Sequence, residues 1–238
     1  MNLIIDIGNT KIKFALFQGQ TLLVNGSGDS KDFAQFIGGK EIDNTIISSV
    51  AISKEVEIVL RRRNLKYIHL SHKTAIPIAN NYATPTSLGD DRLANVVAAA
   101  ILHPDTNVLT IDCGTCIKFD VINKVGEYHG GAISPGLRMR FQALNHYTNG
   151  LPLIETESVD FFIGDSSKKS ILSGVVNGTV QEIEGVIAQY HAVYDNLTVI
   201  LTGGDASFFD KELKSNIFVE QKLTLIGLNE ILLYNTVS

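Results

Sequence analysis

The chain has 238 residues, of which 45% are hydrophobic, and its formal net charge is −5. This size predicts one large globular domain or two of ordinary size, with a real hydrophobic core. The negative charge argues against a nucleic-acid-binding protein, and no apolar run approaches the ~20 residues that a membrane span needs. With 2 cysteines and no secretory leader before the first strand, we expect a cytoplasmic protein without a disulfide framework.

The first half is predicted to begin with a β-hairpin. An apolar strand precedes a polar turn, and an alternating strand follows the turn as far as Phe17. The turn itself reads Asp6-Ile7-Gly8-Asn9-Thr10-Lys11-Ile12-Lys13. Its glycine lets the backbone approach a polyphosphate and offer N–H groups to it, although a Gly-Asn pair also suits an ordinary hairpin turn. The two lysines point to opposite faces of the strand, so the pattern leaves open which of them meets phosphate.

The rest of the first half alternates strands and helices. Strands are predicted over residues 21–24, 45–50 and 66–70, and helices over residues 32–37 and 53–63. A polar loop containing Tyr82 follows, and Gly89-Asp90-Asp91-Arg92 then opens a helix that stops before Pro104. An acidic turn at a helix N-terminus, reached through a long loop, is a common place for a functional site.

The second half repeats this plan. A strand over residues 107–112 leads into the turn Cys113-Gly114-Thr115, and strands follow over residues 116–122 and 126–133. Helices are predicted over residues 137–147, 166–191 and 225–234, and a strand over residues 197–201 ends at Thr202-Gly203-Gly204. We therefore expect two duplicated domains, over residues 1–104 and 105–238. Their two D-x-G turns are expected to face each other across a cleft, where backbone donors and Mg²⁺ position phosphates for phosphoryl transfer.

Five ordered blocks resemble the motifs of the type III pantothenate kinases, in the acetate and sugar kinase/Hsp70/actin superfamily. The first turn resembles D-x-G-N-T-x-x-K, and Gly89-Asp90-Asp91-Arg92 resembles G-x-D-R. Asp112-Cys113-Gly114-Thr115 resembles D-x-G-T, and residues 130–136 resemble G-G-x-I-x-P-G. Thr202-Gly203-Gly204 falls where the superfamily has its adenosine-side glycines.

The resemblance implies a fold and an activity. The fold is an α/β architecture of two duplicated ribonuclease H-like domains, the actin-like ATPase fold, each a mixed sheet flanked by helices, with the active site in the cleft between them. The N-terminal domain then carries the first phosphate turn and the acceptor-binding block. The C-terminal domain carries the second phosphate turn, the adenosine side and a dimer interface. The implied reaction is ATP-dependent phosphorylation of pantothenate to 4'-phosphopantothenate, the first step of coenzyme A biosynthesis.

The resemblance also implies roles for individual residues. Asp91 is the implied general base, and the helix macrodipole favours its anionic form. The implied metal ligands are Asp6, for Mg²⁺ with the ATP phosphates, and Asp112, for a monovalent cation (K⁺ or NH₄⁺). The ATP-binding residues are implied to be Asp6, Ile7, Gly8, Asn9, Thr10, Lys11, Ile12, Lys13 and Thr115. The substrate-binding residues are implied to be Tyr82, Gly89, Asp90, Asp91, Arg92 and Ser167, the last a serine where the family has a threonine.

Other functions fit parts of the pattern. A nucleotide-dependent regulatory protein of the same fold is one alternative, and a kinase for another small hydroxy compound is a second. The block from Tyr82 to Arg92 distinguishes the pantothenate kinase from the second alternative because it lies on the acceptor side. The expected partners are pantothenate, ATP and a second copy of the chain, with no nucleic acid and no membrane. The apolar helices over residues 171–190 are the expected dimer seam, unless they simply pack on their own sheet.

Overall fold

The computed structural model describes residues 1–8, 11–49 and 53–236. The chain divides into two compact units. The first contains Met1–Pro104, Gly126–His129 and the chain from Lys222 onward, and the second contains Asp105–Val125 and Gly130–Gln221. No helix within the described ranges is long and apolar enough to cross a membrane.

The first unit is built on a five-stranded mixed sheet. Its strands are β1 (Asn2–Ile7), β2 (Ile12–Gln18), β3 (Thr21–Gly28), β4 (Asn44–Ser48) and β5 (Ile68–His69), in the spatial order β3-β2-β1-β4-β5. The first three strands form an antiparallel meander, and β4 and β5 join it in parallel. The apolar side chains of β1 and β2 are buried against helices of the same unit. The predicted opening hairpin is present.

Three helices of this unit precede the second unit in the chain, and two of them begin at a side-chain cap. They are α1 (Ser30–Ile37), α2 (Lys54–Arg62) and α3 (Asp90–Leu102). The Asp29 side chain accepts hydrogen bonds from two backbone N–H groups at the start of α1, and the Ser53 hydroxyl accepts one from Val56 at the start of α2. Between α2 and α3 lie the two-residue strand β6 (Ala79–Asn80) and a 3₁₀ turn (Pro85–Ser87). As predicted, most of the polar loop before α3 has no regular secondary structure.

The second unit repeats the sheet. Its strands are β7 (Val108–Cys113), β8 (Cys116–Ile122), β9 (Glu127–Pro135), β10 (Thr198–Thr202) and β11 (Phe218–Val219). The sheet order is β11-β10-β7-β8-β9-β6, with β7 and β8 antiparallel, β10 parallel to both β7 and β11, and β6 parallel to β9. Without the two-residue β6, and counted in chain order from β7, this is the order of the first sheet. The internal duplication predicted from the two D-x-G turns is therefore confirmed at the level of topology.

The helices of the second unit pack on this sheet. They are α4 (Leu137–His146), α5 (Ser167–Leu172), α6 (Gly178–Val193) and α7 (Ala206–Glu212). A π-helical turn (Ser173–Asn177) joins α5 to α6, so the long helix predicted over residues 166–191 is present with an irregularity near Gly174. π-Helical turns occur often at functional sites. The apolar faces of these helices bury Ile171, Val176, Ile183 and Ile187 in the core of this unit.

The last helix, α8 (Leu223–Thr236), belongs to the first unit. It packs on α3, where the Thr224 hydroxyl donates a hydrogen bond of 2.8 Å to the side-chain oxygen of Asn95. Further along α8, the Asn229 side-chain amide donates a hydrogen bond of 3.0 Å to the carbonyl of Gly19, in the turn between β2 and β3. The contiguous ranges expected from sequence put this helix with residues 105–238. Its apolar residues lie on all sides, so its periodicity does not reveal which sheet it covers.

Candidate active site

The first turn carries a mostly buried carboxylate beside a lysine. Asp6 lies directly opposite Lys13 in the ladder of β1 and β2, and 4.0 Å separate Lys13 Nζ from Asp6 Oδ2. The Asp6 side chain is 11% exposed, whereas the Lys13 side chain is 50% exposed. The Gly8 N–H donates to the Lys11 carbonyl at 3.1 Å, which closes the turn. Of the other predicted ATP-binding residues, Lys11 is exposed, Ile7 is half-buried and Ile12 is buried; Asn9 and Thr10 lie outside the described residues.

The second turn repeats the first with one residue fewer. Asp112 lies directly opposite Lys118 in the ladder of β7 and β8. Lys118 Nζ donates to Asp112 Oδ2 at 3.0 Å, and both side chains are mostly buried. The Gly114 N–H donates to the Cys116 carbonyl at 3.1 Å, while the predicted ATP contact Thr115 is exposed at the tip. Sequence reasoning missed Lys118, although its place after the second D-x-G turn matches that of Lys13 after the first.

Two other motifs of the second unit meet this turn. The Gly136 N–H, just before α4, donates to the Thr115 carbonyl at 3.0 Å. Gly203 has a φ of +95°, and a Cβ there would lie 2.5 Å from Asp112 Oδ1 and 2.4 Å from the Cys113 carbonyl oxygen. Only glycine meets both demands without strain. The motifs containing Gly136 and Gly203 therefore enclose the carboxylate and the backbone of the second turn.

The acidic turn lies at the start of α3, as predicted. Asp90 and Asp91 occupy its first turn, and Gly89 precedes it without a side-chain cap. The Arg92 N–H donates to Asp91 Oδ1 at 2.8 Å. A Cβ at Gly89 would lie 2.8 Å from the same Asp91 oxygen. The glycine therefore leaves space that the Asp91 carboxylate uses.

Arg92 belongs to a stack of side chains in the first unit. It is 5% exposed, and its guanidinium carbon lies 5.3 Å from the centre of the Tyr82 ring, with Nη1 donating to the Tyr82 hydroxyl at 3.4 Å. Tyr82 stacks in turn on the fully buried Tyr128, with centroids 6.0 Å apart and rings inclined by 7°. The Asn81 N–H donates to the Tyr128 carbonyl at 2.8 Å, which anchors the loop beside Tyr82. Tyr128 was not among the predicted site residues.

Asp90 is the most perturbed carboxylate of this region. Burial raises the pKa of Asp90 to about 6, and the nearby charges of Asp91 and Asp6 add to the rise. A hydrogen bond from the Ser49 backbone and the charge of His69 act in the opposite direction. Such a carboxylate changes its protonation close to neutral pH, so it is a second candidate for proton transfer beside Asp91.

Ser167 lies in the second unit, at the rim of a cavity of about 600 Å³ that Gly174 and Leu151 also line. Ser167 is the first residue of α5 and is exposed. The segment before this cavity exposes Phe162 and Ile163, which are 82% and 86% accessible. The predicted family spacing of hydroxyl and glycine therefore brings Ser167 and Gly174 to one cavity.

Metal-binding donors are sparse. The described part of the chain contains no group of three or more His, Cys, Asp or Glu side chains that could hold a metal ion by itself. Phosphate oxygens of a nucleotide are common ligands for Mg²⁺.

Two copies of one mixed-sheet topology, each opening with a carboxylate-glycine turn, define the actin-like ATPase fold. Solved structures with this fold include a conserved Baf family protein from Campylobacter jejuni, with a TM-score of 0.61, 19% identity and coverage of 99% of this chain and 100% of that one. A glucokinase from an Antarctic psychrotroph gives a TM-score of 0.52 at 10% identity, with 99% of each chain covered. At these identities the likeness concerns the fold alone.

The family follows from the sequence comparisons. The family model for type III pantothenate kinase matches residues 2–189. A type III pantothenate kinase from Phocaeicola vulgatus is 45% identical over 99% of both chains, and one from Christiangramia forsetii is 42% identical over 99% of both. The chain belongs to the type III pantothenate kinase family.

Proposed function

We propose that this protein transfers the γ-phosphoryl group of ATP to the primary hydroxyl of pantothenate, giving 4'-phosphopantothenate and ADP for coenzyme A synthesis. Membership of the family supports this substrate pair, and the cytoplasm is the compartment that ATP and a biosynthetic role favour. The observation that carries the acceptor side is the start of α3, where Arg92 packs on Tyr82 and Gly89 leaves space for the Asp91 carboxylate.

Asp91 is the proposed general base. The pantothenate hydroxyl oxygen attacks the γ-phosphorus, its proton passes to an Asp91 carboxylate oxygen, and ADP leaves with the electrons of the broken P–O bond. Asp91 lies in the first turn of α3, and its carboxylate occupies the space that Gly89 leaves. Asp90 is the rival for this role, because burial raises its pKa to about 6, close to neutral pH.

Arg92 and Tyr82 are proposed to hold the acceptor. Pantothenate carries a carboxylate, and a guanidinium recognises a carboxylate through two parallel hydrogen bonds. The stack on Tyr128 restricts both side chains before any ligand arrives, which lowers the entropy lost on binding. Gly89 and Asp90 are proposed to complete this pocket. Ser167 is proposed to contact the bound pantothenate, as the resemblance implies for the threonine that the family has at this position.

Both turns are proposed to bind ATP phosphates. In the first turn, residues 6–13 supply backbone N–H groups and the Lys13 ammonium, whose 50% exposure leaves it able to extend. The Asp6 carboxylate suits Mg²⁺, which kinases bind through one or two carboxylates together with phosphate oxygens. When bound, the metal neutralises charge on the transferred phosphoryl group. Thr115 is the proposed contact from the second turn.

The monovalent cation implied for Asp112 meets a different environment. Lys118 already contacts Asp112 Oδ2 at 3.0 Å, and Gly203 closes on Oδ1. We propose that positive charge at Asp112 supports the second phosphate turn. The described residues do not fit a free K⁺ or NH₄⁺ on this carboxylate while Lys118 is paired with it.

A homodimer is the proposed assembly. The helices over residues 171–190, expected from the sequence as the seam, bury much of their apolar surface in the core of their own unit. The exposed Phe162 and Ile163 next to the Ser167 cavity form an apolar surface that a second copy would cover instead. If that surface is the seam, Ser167 reaches the substrate through the dimer.

A coupled assay tests the proposed reaction. ADP formation should depend on added pantothenate and should produce 4'-phosphopantothenate in equal amount. Arg92→Lys should raise the KM for pantothenate by roughly tenfold with little change in the KM for ATP, because it removes the bidentate fork. ATP consumption that is indifferent to pantothenate would contradict the proposal.

A further inference from the structure

Lys118 and Asp112 form a mostly buried ion pair next to the second turn. Their side chains are 21% and 16% exposed, and 3.0 Å separates Lys118 Nζ from Asp112 Oδ2. A carboxylate at this depth needs a compensating charge, because desolvation without a partner is costly. The pair is therefore part of the fold of the second unit and does not depend on a ligand.

The equivalent lysine of the first unit behaves differently. Lys13 lies opposite Asp6 in the same register, but its Nζ is 4.0 Å from the carboxylate and its side chain is 50% exposed. Lys13 thus has room to extend towards a phosphate. Lys118 is held against its aspartate.

The space around Asp112 is already occupied on both sides. The Lys118 ammonium lies at Oδ2, and the backbone of Gly203 approaches Oδ1 so closely that a Cβ would lie 2.5 Å away. A free monovalent cation on this carboxylate would also be repelled by the ammonium. Asp112 with Lys118 therefore does not fit the cation that the family resemblance implies.

We propose that the Lys118 ammonium takes the place of that cation, so that phosphoryl transfer by this chain requires neither K⁺ nor NH₄⁺. The inference rests on the proposed role of Asp112 at the second phosphate turn. A lysine ammonium has the charge of K⁺ and the N–H donors of NH₄⁺, and its covalent attachment keeps it in place at any salt concentration. Lys118 is a positioning residue, because it acts through Asp112 and the turn.

The test compares monovalent cations at constant ionic strength. Pantothenate-dependent ADP formation by the full-length protein is measured in choline chloride and in potassium chloride, with MgATP present in both. The wild-type rates should agree within about twofold, since matched ionic strength leaves general screening equal. Lys118→Met should lose roughly tenfold or more in choline and recover when K⁺ or NH₄⁺ is added, because an electrostatic group has been removed and then replaced. Lys118→Arg keeps the charge and should remain independent of the cation.

A second measurement separates charge supply from simple damage to the fold. The thermal unfolding midpoint of Lys118→Met should rise when K⁺ replaces choline, as expected for an ion that binds the folded state, while that of the wild type should not. Lys124→Met, which removes an exposed lysine of the same unit, should follow the wild type in both measurements.

The outcomes are distinguishable. A wild-type enzyme that is active with K⁺ but not with choline would overturn this inference and leave the kinase function standing. Wild-type rates in both media for Lys118→Met would also overturn it. Absence of pantothenate-dependent ADP formation in every medium would instead contradict the proposed function itself. If Lys118→Met does not fold, the wild type and Lys118→Arg still test the inference. Both should have the same rate with and without K⁺, and a dependence of either rate on K⁺ would overturn the inference.

Discussion

At the scale of single residues, the arrangement at the start of α3 depends on the absence of a Cβ at Gly89. A Cβ there would approach Asp91 Oδ1 to 2.8 Å, so any larger residue moves the carboxylate or the backbone that carries it. Displacements of about 1 Å at a reacting group are known to cost on the order of 10²-fold in rate. The glycine of this motif is therefore explained by the position of the aspartate two residues later.

We expect Gly89→Ala to lower kcat by roughly tenfold or more while leaving the affinity for ATP near the wild-type value. Steady-state kinetics and direct ATP titration measure the two quantities. Gly150→Ala is the matched control, since a Cβ at this loop glycine meets nothing within 4 Å. Equal kcat values for the two variants would show that the space beside Asp91 is not needed.

Asp90 gives a prediction about stability and pH. Burial raises its pKa from the ordinary 3.8 to about 6 in the folded chain, so protonation favours the folded state, and this stabilisation is lost as the pH rises through 6. Asp90→Asn should therefore raise the free energy of unfolding at about pH 8 by on the order of 1–2 kcal/mol, after allowance for partial exposure.

The gain should disappear below about pH 4, where the wild-type carboxyl is protonated in both states. Denaturant unfolding across this pH range measures it. Asp160→Asn, at an exposed loop carboxylate, is the control. A gain for Asp90→Asn that is the same at both ends of the range would refute the role of ionisation.

At the scale of elements, the second turn depends on its neighbours. Gly203 closes on Asp112 and the Cys113 carbonyl with a φ of +95°, whereas Gly204 has open space where its Cβ would lie. Packing and backbone conformation therefore require glycine at position 203, whereas packing does not require it at position 204.

Gly203→Ala should destabilise the protein by about 2 kcal/mol or more, from backbone strain and from the displaced turn, and should lower the thermal midpoint by several degrees. Gly204→Ala should change the midpoint little. Differential scanning calorimetry of the pair is the measurement. Similar midpoints for both variants would contradict the close packing of Gly203 on the turn.

Many features of the individual turns and helices could be predicted from the sequence. Glycines, carboxylates and hydroxyls at fixed spacing identified both turns and the start of α3, because turn and cap chemistry is local. Tyr128 was missed because its role depends on strand register, which places it beside Asn80. Lys118, which lies opposite Asp112, was missed although it follows the second D-x-G turn as Lys13 follows the first. The expected second domain, residues 105–238, included α8, which belongs to the first unit. A helix that is apolar on all sides gives no periodicity from which its packing partner could be predicted.

At the scale of the whole molecule, the topology is duplicated and the sequence similarity covers 99% of the Phocaeicola vulgatus protein. The surface of the proposed dimer is the feature that the sequence pattern predicts least well. Its surface is recognised only through exposed apolar residues such as Phe162 and Ile163.

We expect gel filtration with light scattering to give about twice the chain mass of 25.9 kDa. A Phe162→Ser, Ile163→Ser double variant should shift towards the monomer, because it removes most of the exposed apolar surface of that segment. Val125→Ser, at another exposed apolar residue, should not shift. A monomeric wild-type protein at the same concentration would contradict the proposed seam.

The kinetics of Asp91→Asn and Asp90→Asn decide whether Asp91 is the base that accepts the proton of the pantothenate hydroxyl. Asp91→Asn should lower kcat by about 10²–10⁴-fold, the usual contribution of a positioned base, while ATP still binds. Asp90→Asn should retain a much larger share of the turnover. Near-normal turnover by Asp91→Asn, with the loss appearing in Asp90→Asn instead, would contradict the assignment and make Asp90 the base.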